Sequence, residues 1–281
     1  AFTAPSVSDG FKQIGTSVVI NVSITQMTNP INEVNYNWNG TNYTMYDNGL
    51  VLMMNFDNVS ALGENASDVK DLSLYGNNGS VTGEQWNSSG KFGGYYEFDY
   101  INRDCINISD SPELSIFKNI TISVWYKRSQ LIADYTTLVS KGGNTGYSSY
   151  SLVFNSGTNS LYFLQSDGSG WDTNILSSSI TTASNSQWHF VTATSNGVIA
   201  NLYFDGVLIG TDTSPVGVTV DYVVPTAIGC EIHPDTNAAG RYFNGSIDEV
   251  RIWNRSLSAS EVYQQYISNL QKYNSTQWYL Y

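Results

Sequence analysis

The chain is a succession of short β-branched and aromatic runs separated by turn residues, and that pattern points to an all-β fold. Residues 17–24 begin as an apolar β-branched run and then alternate. Residues 33–38 and 41–46 alternate around Asn39-Gly40, a pair that tolerates positive φ and closes tight hairpins. Further candidate strands cover 50–56, 94–100, 119–128, 136–141, 149–155, 161–165, 187–195, 199–211, 226–232 and 242–253, with Asn196-Gly197 and Asp205-Gly206 as additional tight-turn pairs. Many short strands with turns between them predict a two-sheet sandwich or a barrel. One helix interrupts the pattern. Ser258-Ala259-Ser260-Glu261 has the form of a capping box, and Val262, Tyr266 and Leu270 follow at i+4 spacing. A helix over 259–270 would lay one apolar stripe on the sandwich.

The surface of such a sandwich has to be wetted, and charge does little of it. Only 13% of the 281 residues are charged, with 12 Lys and Arg against 24 Asp and Glu. The cations form no cluster, which argues against nucleic acid as a partner. Instead the chain carries 29 Asn, 36 Ser and 23 Thr. Twelve of these Asn stand in Asn-x-Ser/Thr acceptor sequences, where about six would arise by chance at this composition. Eleven are expected to carry glycans in an extracellular setting: Asn21, Asn39, Asn42, Asn58, Asn65, Asn87, Asn107, Asn119, Asn244, Asn254 and Asn274. The twelfth, Asn78, is read as a turn or ligand residue. No apolar run approaches the length of a membrane helix. Cys105 and Cys230 stand far apart with no Cys-x-x-Cys spacing, which leaves a long-range disulfide or two buried thiols. The extracellular features favour the disulfide.

Several segments, in order, resemble a known family. Asp71-Leu72-Ser73-Leu74-Tyr75-Gly76-Asn77-Asn78-Gly79 is similar to a turn of the laminin-G-like jelly rolls in the concanavalin A-like lectin/glucanase superfamily. Lys91-Phe92-Gly93-Gly94 with Phe98-Asp99, Asn119-Ile120-Thr121-Ile122-Ser123-Val124-Trp125, Gln187-Trp188-His189-Phe190-Val191 and Leu202-Tyr203-Phe204-Asp205-Gly206 resemble successive strands of that fold. Gly245-Ser246-Ile247-Asp248-Glu249-Val250-Arg251-Ile252-Trp253 resembles its closing strand. The resemblance implies a two-sheet jelly roll over 50–270. Residues 1–49 and 271–281 lie outside it and resemble a split, incomplete immunoglobulin-like sandwich of the kind found in long archaeal surface proteins.

The resemblance also implies one structural calcium ion, which needs six to eight oxygen ligands. Asp57, Asp71, Asn78, Asp248 and Glu249 are the candidates. Catalysis finds little support. The Glu-x-Asp-x-x-Glu strand of the glucanases is absent, and strand alternation would send Asp248 and Glu249 to opposite faces. His189 lies within a candidate core strand and His233 in a turn beside Glu231, so no nucleophilic triad is apparent. A sugar site would use exposed aromatics, with Trp171 the leading candidate and Tyr147, Tyr150 and Tyr242 behind it. Two functions follow as expectations. The first is a glycosylated, non-enzymatic subunit of a cell-surface filament or adhesin, joined to copies of itself by donation of a strand from 2–8 or 17–24, or to adjacent domains of a longer surface protein. The second is a calcium-dependent carbohydrate-binding module of a surface adhesin.

Overall fold

A computed structural model describes residues 2–3, 21–25, 31–38, 40–83, 85–128, 135–143, 147–155, 157–169, 176–179, 185–274 and 276–280. Two eight-membered sheets face one another. In the first the strand order is Leu176–Ser179, Ser160–Leu164, Ser148–Asn155, Tyr135–Gly142, Thr226–Ile228, Cys105–Ile108, Gly79–Thr82 and Asp68–Val69. In the second it is Val207–Asp212, Ala200–Phe204, His189–Ser195, Ile120–Lys127, Gly245–Trp253, Tyr95–Phe98 and Gln85–Asn87, with Leu50–Met54 also pairing on Gly245–Trp253. The pairings between the described strands are antiparallel. The alternating side chains Ile120, Ile122, Val124 and Tyr126 point inward with Tyr96, Phe98, Ile106, Ile108, Leu152, Phe154, Val191 and Ala193 to form the main core. This is the expected all-β jelly roll. Strands Asp68–Val69, Gly79–Thr82, Gln85–Asn87, Cys105–Ile108 and Leu176–Ser179 are additions that the residue pattern was too short or too polar to signal.

The strand Gly245–Trp253 organises the second sheet. Its Gly245–Ile247 half pairs with Tyr95–Phe98, and its Val250–Trp253 half pairs with Leu50–Met54 on the same side. A β-bulge lies at the change of partner. The register with Ile120–Lys127 shifts between Ser123 and Trp125, and Glu249 takes φ 52°. Ile247, Val250 and Ile252 all point into the main core. The bulge therefore cancels the alternation and leaves Asp248, Glu249 and Arg251 on the outer face together. The expectation that the two neighbouring carboxylates face opposite ways is corrected here.

That outer face is itself buried. Leu50, Met53, Trp253, Leu257 and Val262 join Val34, Met45, Tyr46, Leu270, Trp278 and Leu280 in a second core. The last six belong to segments near the chain ends. Phe2–Thr3 pairs with Asn21–Thr25, which pairs with Gln277–Leu280 and then Leu270–Lys272, making a four-stranded sheet. The hairpin Val34–Trp38/Thr41–Tyr46 stands beside it. The apolar side of these strands is thus covered by jelly-roll side chains, and the described parts of the two proposed donor segments pair within the chain. The helix spans Ala259–Ile267 with its capping box formed between Ser258 and Glu261. It stops short of residue 270 because Ser268 turns back on the Gln264 carbonyl, and Leu270 enters the second core from a strand.

Cys105 and Cys230 form a disulfide, with Cα atoms 5.5 Å apart, as expected. It joins the start of strand Cys105–Ile108 to the turn just after its neighbour Thr226–Ile228, beside a small cluster of Val224, Ala227 and Ile232.

Because the end strands and the jelly roll share the second core, they should unfold together. Trp278 is 1% exposed and meets Tyr46 edge-on at 5.3 Å. Trp278→Ala is expected to remove about 3–5 kcal/mol of stability. Urea unfolding followed by near-ultraviolet circular dichroism should still give one transition; two separated transitions would show an independent end sheet.

Candidate functional site

The register of the second sheet sets a row of polar and aromatic side chains across its outer face, beyond the part covered by the helix. Glu97 lies opposite Ser246, and Ser246 opposite Lys127. Trp188 precedes His189, which pairs with Tyr126. Since Tyr96, Tyr126 and Ile247 fill the core, their neighbours Tyr95, Glu97, Ser246 and Lys127 turn outward. Ser246 Oγ donates to Glu97 Oε2 at 2.6 Å. The Tyr95 and Trp188 rings meet edge-to-face at 5.5 Å. Lys127 Nζ sits 5.1 Å from the centroid of each ring. Beside them opens a cleft of about 240 Å³ lined by Glu97, Lys127, Arg128, Ser186, Asn244 and Ser246. Arg128 is held from below, its guanidinium 3.7 Å from the Phe154 ring centroid and donating to Asn159 Oδ1. Burial pushes its pKa down to about 10, with Tyr126 opposing.

One row further along, the outer face closes over. Trp125 is 3% exposed, stacked on Tyr266 of the helix at 5.6 Å and capped by Lys91 Nζ at 4.1 Å. Asp248 Oδ2 accepts the Lys91 and Phe92 backbone N–H groups at 2.8 and 3.1 Å. Asp57 accepts from Gly94 N–H at 2.9 Å and from Gln271. Glu249 pairs with Arg251 at 3.0 Å and accepts from Asn269. The carboxylates thus bind the loop that crosses the change of strand partner. Burial raises Asp57 to about 7, with the Gly94 hydrogen bond opposing and the charge of Glu64 adding to it. Burial, then the charge of Glu249, raises Asp248 as well.

The five calcium candidates fall into two groups. Asp71 closes its own turn: Oδ1 accepts from Met53 and Ser73 N–H, and Oδ2 from Ser73 Oγ and Asn77 N–H. Asn78 Oδ1 accepts from Asp71 N–H. Asp57, Asp248 and Glu249 are the second group, each facing protein donors. Among the carboxylate oxygens of these candidates, Asp248 Oδ1 alone is buried without a hydrogen-bond donor. Among the described residues no three His, Cys, Asp or Glu converge as a metal site. The set does not fit a calcium ion.

The other sequence candidates disperse. Trp171 lies outside the described residues. Tyr150 is wholly buried in the core, so it is removed from the sugar-site candidates, while Tyr147 is exposed and meets Tyr222 edge-on. His189 is packed, bonding Asp205 at 2.8 Å and Asn185 at 3.0 Å. His233 bonds Glu231 at 2.9 Å, and Arg241 bonds the other oxygen of Glu231. Of the glycan acceptors, Asn42, Asn65, Asn87, Asn119 and Asn254 are exposed, and Asn58, Asn107, Asn244 and Asn274 are half-buried. Asn39 and the side chain of Asn21 lie outside the described residues. No helix among the described residues is long and apolar enough to cross a membrane.

A family model described as the concanavalin A-like lectin/glucanases superfamily matches residues 102–263. No curated protein matches the chain. Among solved structures, the binding domain of Paraclostridial Mosquitocidal Protein 1 is similar at a TM-score of 0.59 and 20% identity, covering 78% of this chain and 52% of that one. The binding domain of Botulinum Neurotoxin DC in complex with SialylT gives 0.54 and 15%, covering 78% and 51%. Domain 4 of AbnA, a GH43 extracellular arabinanase from Geobacillus stearothermophilus, in complex with arabinotriose, gives 0.53 and 20%, covering 76% and 97%. The chain spans about half the length of the toxin binding domains. At these identities the likeness is one of fold.

The raised Asp57 carboxyl carries a sign. Between about pH 4 and pH 7 the folded chain holds a proton there that the unfolded chain has lost, so stability falls as pH rises through that window. Asp57→Asn keeps the acceptor for Gly94 and should flatten the slope. Urea midpoints measured across the same window check it; an unchanged slope would place the titration elsewhere.

Proposed function

The chain belongs to the concanavalin A-like lectin/glucanase superfamily, and from that premise we propose that it is a saccharide-binding module of an extracellular glycoprotein, with its site at the Tyr95–Trp188–Lys127 cleft. The observation that carries this reading is the half-buried aromatic pair beside a cleft whose polar groups converge from three strands and the segments next to them. Sugars present apolar C–H faces and hydroxyl edges. The Tyr95 and Trp188 rings suit the first, and Glu97, Lys127, Ser246 and Asn244 supply both acceptors and donors for the second. The lining holds one carboxylate, Glu97, whereas hydrolysis by the usual route needs two flanking the bond. The arabinotriose complex of a domain of similar fold supports the same class of ligand. The disulfide and the exposed acceptor Asn residues support the extracellular setting.

Asn244 lines the cleft and is also a glycan acceptor. A glycan attached there would occupy the site from within, so occupancy at Asn244 and binding of free sugar should exclude one another.

The filament reading stands second. It is favoured by the four-stranded sheet built from segments near both chain ends, in which the described strand Phe2–Thr3 stands outermost, where a strand from another copy would add.

The binding reading is tested on an array carrying arabino-oligosaccharides and sialylated glycans, probed with the full chain bearing Asn244→Gln. Binding to at least one class is expected, with Trp188→Ala weakening it about tenfold or more, ~1.4 kcal/mol. Binding that Trp188→Ala leaves intact would move the site, and absence of binding would remove the reading.

A further inference from the structure

A lysine points into the sandwich. Lys141 lies opposite Tyr150 on one neighbouring strand and Thr226 on the other. Two residues earlier, Val139 lies opposite Leu152 and Ile228 in the main core. Lys141 therefore continues the inward column, and its side chain is 0% exposed. Lysine is almost never buried to this degree without partners. Asp110 reaches it by the same geometry, standing two residues beyond the inward-facing Ile106 and Ile108 in the phase of that strand. Lys141 Nζ contacts Asp110 Oδ1, lies 3.5 Å from Asp221 Oδ1 and donates to the Val224 carbonyl at 3.3 Å. Asp221 Oδ1 is buried and accepts no hydrogen bond among the described residues. The nearby Tyr150 hydroxyl is engaged with the Leu114 carbonyl and Thr226 Oγ1.

An amine, a carboxyl group against it and a second carboxylate within reach are the three parts needed to make an amide. We infer that Lys141 and Asp110 condense into an intramolecular isopeptide bond, with Asp221 moving the proton. The charges and atoms balance without a further reactant. One ammonium proton passes to the Asp110 carboxylate, leaving a neutral amine beside a carboxylic acid. Nζ attacks Cγ, and the N–C bond forms as the tetrahedral carbon gathers charge on oxygen. Asp221 takes a second proton from nitrogen and delivers it to the departing hydroxyl, so the C–O bond breaks and one water leaves. The product is neutral, which removes the cost of an ammonium held between the two sheets. The bond closes across 31 positions of sequence, joining the strand Tyr135–Gly142 to the segment just after Cys105–Ile108.

The test is mass spectrometry of tryptic digests of the full chain after reduction. The expected result is no cleavage after Lys141 and a branched peptide joining Lys141 to Asp110, lighter by one water than the sum of its parts. Asp110→Ala and Lys141→Arg should abolish the branched peptide. Asp221→Asn, which keeps size and shape, should give a folded chain by circular dichroism with the branched peptide lost or strongly reduced. A wild-type digest with free Lys141 and Asp110 peptides overturns the inference and leaves an ion pair. A branched peptide persisting undiminished in Asp221→Asn overturns the role of Asp221.

Discussion

The second sheet depends on one strand with two buried faces. Gly245–Trp253 sends Ile247, Val250 and Ile252 into the jelly-roll core and Trp253 into the core shared with the end strands. A regular strand could not also present two adjacent carboxylates to one side. The bulge at Glu249 makes room for them where the strand exchanges one partner for another, and Asp248 and Asp57 then hold the backbone N–H groups of the loop that would otherwise be orphaned at the exchange. These two carboxylates are stapling groups. Burial raises the pKa of both, and their oxygens other than Asp248 Oδ1 accept hydrogen bonds from the protein.

Much of the architecture was legible in the residues because strands announce themselves by alternation and turns by Asn-Gly and Asp-Gly. The capping box at Ser258 located the helix start to the residue. The helix end was missed because Leu270 satisfies an i+4 apolar spacing and a strand position equally well. The disulfide and the jelly roll emerged as expected, since ordered motifs spread along a chain constrain topology better than any one of them does. The bulge left no trace in the pattern: Asp248-Glu249 reads as ordinary alternation until the register against Ser123 and Trp125 is known.

The candidate site was the least legible part. Tyr95, Glu97, Lys127 and Ser246 come from three separate strands and Trp188 from the residue before a fourth, and they acquire a common face only through pairing. Each stands next to an inward residue within a strand motif, so in sequence each looks like part of a core. The available signal was the aromatic and basic residue at alternate positions to core residues near strand ends. Exposed-looking loop aromatics were the more visible choice, and of these Tyr150 turned out to be buried in the core.

The four-stranded sheet places Asn21–Thr25 directly beside Gln277–Leu280, with Val22 opposite Leu280 and Thr25 opposite Gln277. Everything from the hairpin to the jelly roll is threaded between these two neighbours. A mechanical pull entering at Val22 and leaving at Leu280 would therefore load only that ladder, opening it rung by rung like a zipper. The sandwich, with its cleft, hangs to the side of the line of force. Tension carried along such a chain would pass the candidate cleft by and leave its shape unchanged until the ladder had parted.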